Sequence, residues 1–269
     1  MKILVLGSHG IIGSGLCKHL KDVGHHVIPW DTKITPMHDL SVSENLGRLN
    51  YVMNSVDFVF FLAYDIGGAK YITDAGVDFI NNNVMIMMNT FSQLYGKKFI
   101  FASSTMYNMN HVYGTLKKLG EEYTSRIGGL SVRFWNVYGP EKSSPKSHVI
   151  ADMIHKHKTK GYIDLMTSGE ERRQFLHTED CAKALSQLMY NYDEVLKTEK
   201  SVDITNFTWT KIKNVANLIS DDVRVTDITV TTHDRVNEPR HFILKYWKPE
   251  ISLVEGVTSL VLDYRYHIS

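Results

Sequence analysis

Apolar residues recur along this chain in two alternating rhythms. Residues 2–6 form a continuous aliphatic run, and after a glycine-rich turn Ile11, Ile12, Leu16 and Leu20 return at helical spacing, which predicts strand, tight turn and helix. A second aliphatic run at 26–30 ends at Asp31, and a third at 56–63 follows a short helical stretch around 46–53. Residues 77–95 are densely apolar with helical periodicity, and 98–102 is a further apolar run ending in Ser103, Ser104 and Thr105. Residues 113–127 read as a helix with charges on one face, and 130–135 as the next strand. Uninterrupted apolar strands are buried on both faces, as in parallel sheets. The five β-α repeats with short turns predict an α/β fold built on a doubly wound parallel sheet, because parallel strands require crossovers and these are nearly always right-handed.

After Gly139 and Pro140 the rhythm changes. Residues 141–147 read as a polar loop, 149–157 as a helix, and 162–166 and 174–177 as short strands; 178–190 is helical and 202–204 a strand. Residues 211–219 read as a helix, 223–231 as an alternating strand and 253–264 as a last helix. The expected organisation is a nucleotide-binding domain over 1–140, to which 178–205 return, and a smaller C-terminal substrate-binding cap from 141–177 and 206–269.

At 269 residues the chain exceeds the usual ~100–200 per domain, enough for one large core or a large and a small one. With 43% hydrophobic and 22% charged residues it is an ordinary folding composition, which excludes a disordered or low-complexity chain. A formal net charge of +1 gives no global pull toward nucleic acid or a membrane surface, so any anion site is local. Cys17 and Cys181 form neither a CxxC pair nor a disulfide framework, which suits a reducing compartment. The first residues lack the long apolar region of a signal peptide, and the longest apolar stretch, 58–63, is far short of the ~18 residues of a membrane span, so a cytoplasmic location is expected. His155 and His157 are two apart on a helix, face different ways and cannot chelate as a pair; no metal is expected.

Gly7, Gly10 and Gly13 lie between the first strand and helix, where missing side chains permit a tight turn, close approach of backbone to a pyrophosphate and close helix packing. Asp31 closes the second strand at about the ~20-residue separation expected of a ribose-binding acid. A carboxylate there accepts from both ribose hydroxyls and repels a 2′-phosphate, so NAD is expected over NADP. Tyr113 and Lys117, four apart on a helix, project from one face. An ammonium beside a phenol of ordinary pKa ~10 favours the phenolate and makes it a general base. Ser103, at a strand end, is placed to hydrogen-bond the same substrate hydroxyl.

With these motifs in place the sequence resembles the extended short-chain dehydrogenase/reductase family, in particular its NAD-dependent nucleotide-sugar epimerases and dehydratases. The triplet Gly7, Gly10, Gly13 is similar to the family's GxxGxxG, Tyr113 to Lys117 to its YxxxK, and Ser103-Ser-Thr-Met-Tyr107 to its serine-bearing strand end. Later similarities are Arg133-Phe-Trp-Asn136-Val-Tyr-Gly-Pro140, Arg173-Gln-Phe-Leu-His177-Thr-Glu-Asp180, and Trp247-Lys-Pro ahead of Leu253-Val-Glu-Gly256. The resemblance implies a Rossmann sheet, with Ser103, Tyr113 and Lys117 catalytic. It implies that His9, Ile11 and Ile12 join the glycines around NAD, that Asp39 and Leu40 contact adenine, and that Leu62, Ala63, Tyr64 and Asn83 line the cofactor path. Ser104, Thr105 and Asn136 would meet the nucleotide sugar, with Arg173 and Arg235 as ligands of its diphosphate, a role suited to guanidinium groups. A UDP- or GDP-linked sugar is the expected small-molecule partner. The resemblance also suggests a homodimer through helices 77–95 and 113–127, with Met85, Met87 and Met88 either on that surface or in the core.

The resemblance further implies a first step in which the tyrosine takes a hydroxyl proton while NAD takes hydride, leaving a keto sugar. The 4,6-dehydratases carry an Asp-Glu pair after the catalytic hydroxyl residue, where this chain has Ser104 and Thr105; 3,5-epimerases and fucose synthases place a Cys two before the strand-end tyrosine, where it has Thr105 before Tyr107. Thr105 agrees with the 4-epimerase pattern, so C4 epimerisation is the expectation. Against it, residues 62–68 (LAYDIGG) are similar to GDP-mannose 3,5-epimerase, the link 106–112 is short, and Gln174 stands where an acid usually follows the phosphate-binding arginine. A 3,5-epimerase or a 4,6-dehydratase/reductase are the alternatives within the family; a non-catalytic NAD-binding regulator is the alternative of another class.

Overall fold

The computed structural model describes residues 1–74, 76–141, 146–225 and 237–264, with the backbone alone at 69–70. The first half runs β1 (Lys2–Leu6), α1 (Ile11–Asp22), β2 (His26–Trp30), α2 (Leu46–Met53), β3 (Phe58–Phe61), α3 (Ala69–Thr73), α4 (Val77–Leu94), β4 (Phe99–Ser104), α5 (Val112–Arg126) and β5 (Leu130–Phe134). There follow β6 (Asn136–Tyr138), α6 (Val149–Lys160), β7 (Ile163–Leu165), β8 (Arg172–His177), α7 (Thr178–Tyr190) and α8 (Tyr192–Thr198). The chain continues through β9 (Ser201–Ile204), β10 (Trp209–Lys211), α9 (Ile212–Asn217), β11 (Val223–Val225) and α10 (Leu253–Asp263). A 3-10 turn, Thr105–Asn108, joins β4 to the approach of α5.

The central sheet has six strands in the order β2-β1-β3-β4-β5-β9, all parallel. The mixed α/β fold with a doubly wound parallel sheet is therefore as the hydrophobic pattern predicts. Because strand side chains alternate, Ile3, Val5, Phe58, Phe60 and Ile100 face α1 and α7, while Leu4, Leu6, Val59, Phe61, Phe99 and Phe101 face α2, α4 and α5. Both faces are thus closed to water, which is why these strands carry no polar alternation. The order reverses at β1, between β2 and β3, and in open α/β sheets a crevice for ligands forms beyond the strand tips at such a reversal.

A third core gathers Tyr138, Ile150, Ile154, Ile163, Phe175, Val215 and Val257 around α6, α9 and α10. It covers a three-stranded sheet, β10-β8-β6, and a pair, β11-β7. Several expectations shift at the edges. The apolar run at 98–102 continues as strand through Ser104, because Ser103 and Ser104 pair with Arg133 and Phe134. The helix expected over 211–219 is confined to Ile212–Asn217, since Trp209–Lys211 pairs with β8. Of the strand expected over 223–231 only Val223–Val225 falls among the described residues. Met87 is core, 1% exposed, whereas Met85 and Met88 lie on the surface at 39% and 55%. Cys17 and Cys181 are buried free thiols, and burial pushes the Cys17 thiol up to about 11.

Candidate active site

The turn between β1 and α1 is shaped by absent side chains. Gly7 sits at φ +83°, and a Cβ there would lie 2.7 Å from the Ala63 nitrogen; a Cβ on Gly13 would lie 2.1 Å from the Gly7 carbonyl oxygen. Gly10 caps α1 with extended backbone and no side-chain hydrogen bond, so the first N–H groups of the helix face outward for an anion. Gly7 donates to the Trp30 carbonyl at 2.8 Å, and His9 donates its N–H to Asp31 Oδ2 at 2.9 Å. Lys33 N–H takes Asp31 Oδ1. Each carboxylate oxygen of Asp31 carries one backbone donor and keeps lone pairs for a diol. Ile11 and Ile12 are half-buried beside this cradle, whose close approaches leave room only for backbone, as a dinucleotide pyrophosphate requires.

The remaining residues expected along the cofactor path follow β2 and β3. The 36–40 turn folds back on β2: the His38 ring stacks on Trp30 at 3.9 Å and Trp30 donates to the His38 carbonyl. Asp39 there caps its own turn by accepting from Ser41 N–H and Oγ–H, and Leu40 is buried in the core. Leu62 and Ala63 follow β3 as partly buried residues. Asn83 is fully buried and clamps the next loop, accepting from Asp65 N–H at 2.8 Å and donating to the Asp65 and Phe79 carbonyls.

Tyr113 opens α5. The His111 Nδ1 caps its N–H, and Gly114 lets the helix lie against the 3-10 turn, since a Cβ there would be 2.2 Å from the Met106 carbonyl. Tyr113 is 4% exposed and Lys117 2%. Lys117 Nζ donates to the Ala102 carbonyl at 2.7 Å and lies 5.6 Å from the Tyr113 ring centroid. Burial drives the Lys117 amine well below its usual range, and the Glu121 carboxylate opposes that. Tyr64, on the loop after β3, covers the same ammonium with its ring, 3.4 Å from centroid to Nζ, and meets Tyr113 edge-on at 6.0 Å.

Ser103 is buried at the end of β4 and donates to Glu121 Oε1 at 2.6 Å. Glu121 is one turn beyond Lys117 and also takes two bonds from Arg133 at 2.8 and 2.7 Å, while the Arg133 guanidinium stacks on Tyr107 at 3.5 Å. Ser104 caps the 3-10 turn by accepting from Met106 N–H. Thr105 is buried, and its carbonyl and hydroxyl oxygens accept from Asn237 Nδ2 at 2.6 and 3.3 Å. Asn136 opens β6, paired in register with Phe175 of β8. Arg173, two residues earlier on β8, is buried and donates to the Arg172 carbonyl at 2.7 Å. Arg235 lies outside the described residues.

The structure thus brings Tyr113, Lys117, Ser103 and Tyr64 to the tips of β3 and β4, and sets Asn136 and Arg173 on the second sheet. Sequence reasoning missed Glu121 and Asn237. Extending the four-residue step from Tyr113 and Lys117 reaches Glu121; no local signal marks Asn237, whose contact spans 132 positions. Gln174, noted as a departure, is 1% exposed. Among the described residues no group of three or more His, Cys, Asp or Glu side chains is gathered to hold a metal ion, and no helix is long and apolar enough to cross a membrane.

The model of the NAD dependent epimerase/dehydratase family matches residues 3–204. Among curated proteins, the chain is 27% identical to GDP-mannose 3,5-epimerase 1 of Oryza sativa subsp. indica over 70% of this chain and 61% of that one, so it spans about three fifths of that relative's length. It is 25% identical to the uncharacterized UDP-glucose epimerase YtcB of Bacillus subtilis (strain 168), over 96% of each. Among solved structures it is similar in fold to a UDP-glucuronic acid 4-epimerase from Bacillus cereus in complex with UDP-glucuronic acid and NAD, with a TM-score of 0.77, 20% identity and full coverage of both chains.

Proposed function

Because the chain belongs to the NAD dependent epimerase/dehydratase family, we propose that it is an NAD-dependent epimerase of a nucleotide diphosphate sugar, acting at C4 through a transient 4-keto intermediate with Tyr113 as base. The observation that carries this reading is the Lys117 Nζ held 5.6 Å from the Tyr113 ring centroid at the strand tips.

Gly7, Gly10, Gly13 and Asp31 would hold the pyrophosphate and adenine ribose of NAD, with Asp39 and Leu40 toward its adenine. Bound NAD supplies the hydride acceptor for the sugar carbon and the donor that returns it. Tyr113 takes the proton of the reacting hydroxyl, and Lys117, a cation in a site of low dielectric, favours its phenolate. Ser103, fixed by Glu121, keeps its lone pairs toward the same hydroxyl. Epimerisation then requires the keto sugar to present its other face before the proton and hydride return. Arg173 and Arg235, from a substrate-binding cap formed by 141–177 and 206–269, would grip the diphosphate together with Asn136 of the nucleotide-binding domain.

Thr105 supports C4 chemistry over the alternatives. Its oxygens accept from Asn237, and it brings neither the carboxyl group that elimination of water needs nor a thiol for deprotonation beside the ketone. A 3,5-epimerase is the second reading, favoured by the loop 62–68 and the likeness to the rice enzyme. Incubation with UDP-, GDP- and dTDP-sugars plus NAD in deuterated water, followed by NMR, separates them: inversion at C4 without deuterium at C3 or C5 supports the first, and deuterium at C3 and C5 the second. NAD binding without any turnover would leave the non-catalytic regulator. Met85 and Met88, exposed on α4, support pairing of two copies through α4 and α5.

A further inference from the structure

Lys117 carries three N–H donors into a site that is closed to water, at 2% exposure. One goes to the Ala102 carbonyl. The titratable and charged groups facing it, among the described residues, are Tyr113 and Glu121 from its own helix and Tyr64 from the loop after β3. Glu121 is already engaged by Arg133 and Ser103. After the Ala102 carbonyl at 2.7 Å, the next nearest compensation for the buried charge is the face of Tyr64, whose centroid lies 3.4 Å from Nζ, well inside the ~6 Å reach of a cation–π contact; the Phe101 ring is farther, at 5.1 Å. The Tyr64 hydroxyl adds nothing to this, because its buried oxygen has no hydrogen-bond partner among the described residues. What the residue offers is its ring.

We propose that Tyr64 is a positioning residue for the reaction, its ring face keeping the Lys117 ammonium charged and aimed beside Tyr113. This rests on the assignment of Tyr113 and Lys117 as base and partner cation. It predicts that an aromatic ring is required at position 64 and a hydroxyl is not.

The test uses the full chain labelled with 13C-lysine. The Lys117 Cε signal, identified by its loss in Lys117→Arg, is followed against pH in the unmodified protein, Tyr64→Phe and Tyr64→Leu, with Tyr64→Met as a second ring-free variant should Leu unfold the protein; NAD affinity is measured by fluorescence titration. Tyr64→Phe should leave the midpoint in place, and the ring-free variant should weaken proton binding at Lys117 by tenfold or more and loosen NAD. An unmoved midpoint in the ring-free variant, an equal shift in Tyr64→Phe, or tighter NAD binding without the ring, which would mean that Tyr64 occupies the cofactor's own space, overturns the proposal. Neither readout uses a sugar. A protein that turned over no nucleotide sugar would defeat the proposed reaction and leave this relation standing, whereas a Lys117 indifferent to the ring defeats this inference alone.

Discussion

Ser103 and Glu121 are joined by a 2.6 Å hydrogen bond that ties the end of β4 to the middle of α5. Glu121 also pairs with Arg133, and both partners are largely buried, with side chains only 13% and 14% exposed. Burial works against the Arg133 charge and Glu121 overcomes it, so the guanidinium is held above its ordinary range. Glu121→Ala leaves a buried cation and a strand-end hydroxyl without their acceptor, at a cost of about 3 kcal/mol. Urea unfolding should register that loss, and Glu121→Gln, which keeps an acceptor for Ser103, should retain more activity. Equal activity in the two variants would show that the carboxylate does not fix Ser103.

Tyr113→Phe should lower kcat by on the order of 10³-fold, the typical contribution of a general base. NAD affinity should be preserved, because the cradle at Gly7 and Gly13 is untouched. Steady-state turnover with the nucleotide sugar found in the panel, set beside fluorescence titration with NAD, measures both. Full turnover by the phenylalanine variant would remove the base.

Gly13→Ala should cost about 3 kcal/mol and abolish NAD binding, since its Cβ would sit 2.1 Å from the Gly7 carbonyl. Gly47→Ala, on α2 with nothing within 4 Å of the added carbon, should be neutral or stabilising by about 0.5 kcal/mol. Thermal unfolding of the pair tests whether the cradle or helix propensity governs.

Asp31→Ser should reduce NAD affinity by about tenfold, the worth of one charge-assisted hydrogen bond, and improve NADP binding by removing repulsion of a 2′-phosphate near Lys33. Calorimetric titration with both dinucleotides gives the ratio. An unchanged ratio would place the adenine ribose away from Asp31.

His177 ends β8 and caps α7, its Nδ1 accepting the Glu179 N–H at 3.3 Å. Burial holds its pKa below the ordinary histidine value, against Glu179 and Asp180, which raise it. The unfolded chain therefore binds a proton that the folded chain resists, and this contribution to stability, present above the ordinary histidine pKa of ~6.5, declines as pH falls below it. Urea unfolding at pH 7.5 and pH 5 should show the decline, and His177→Asn, which keeps a cap acceptor without titrating, should flatten it.

The alternation of apolar runs and helical periods made the central strands and their crossovers legible because both faces of the sheet exclude water. Strand order was implied by the resemblance to a Rossmann sheet and not by the pattern itself: nothing local in residues 31–45 says that β1 lies between β2 and β3. Three-residue strands such as Asn136–Tyr138 and Trp209–Lys211 are too brief to show a period. In the site, Tyr113, Lys117 and Ser103 were readable because their spacing is itself chemical. Tyr64 was placed on the cofactor path, but its stacking on Lys117 depends on how the loop after β3 meets α5. Asn237 owes its contact with Thr105 wholly to tertiary structure.

Thr178 makes three distant stretches of chain answer to one another. Its hydroxyl donates to the Ile11 carbonyl, while carbons added at Gly15 or Gly139 would meet its Oγ1 at 2.7 Å or its Cγ2 at 2.5 Å. As the sequence drifts over generations, a larger residue at 139 becomes admissible only once position 178 has lost its side chain, because the Thr178 Cβ would itself lie 2.9 Å away, and one at 15 only once the hydroxyl is gone. Removing that hydroxyl also releases the first turn of α1, so inheritance at these three sites is linked.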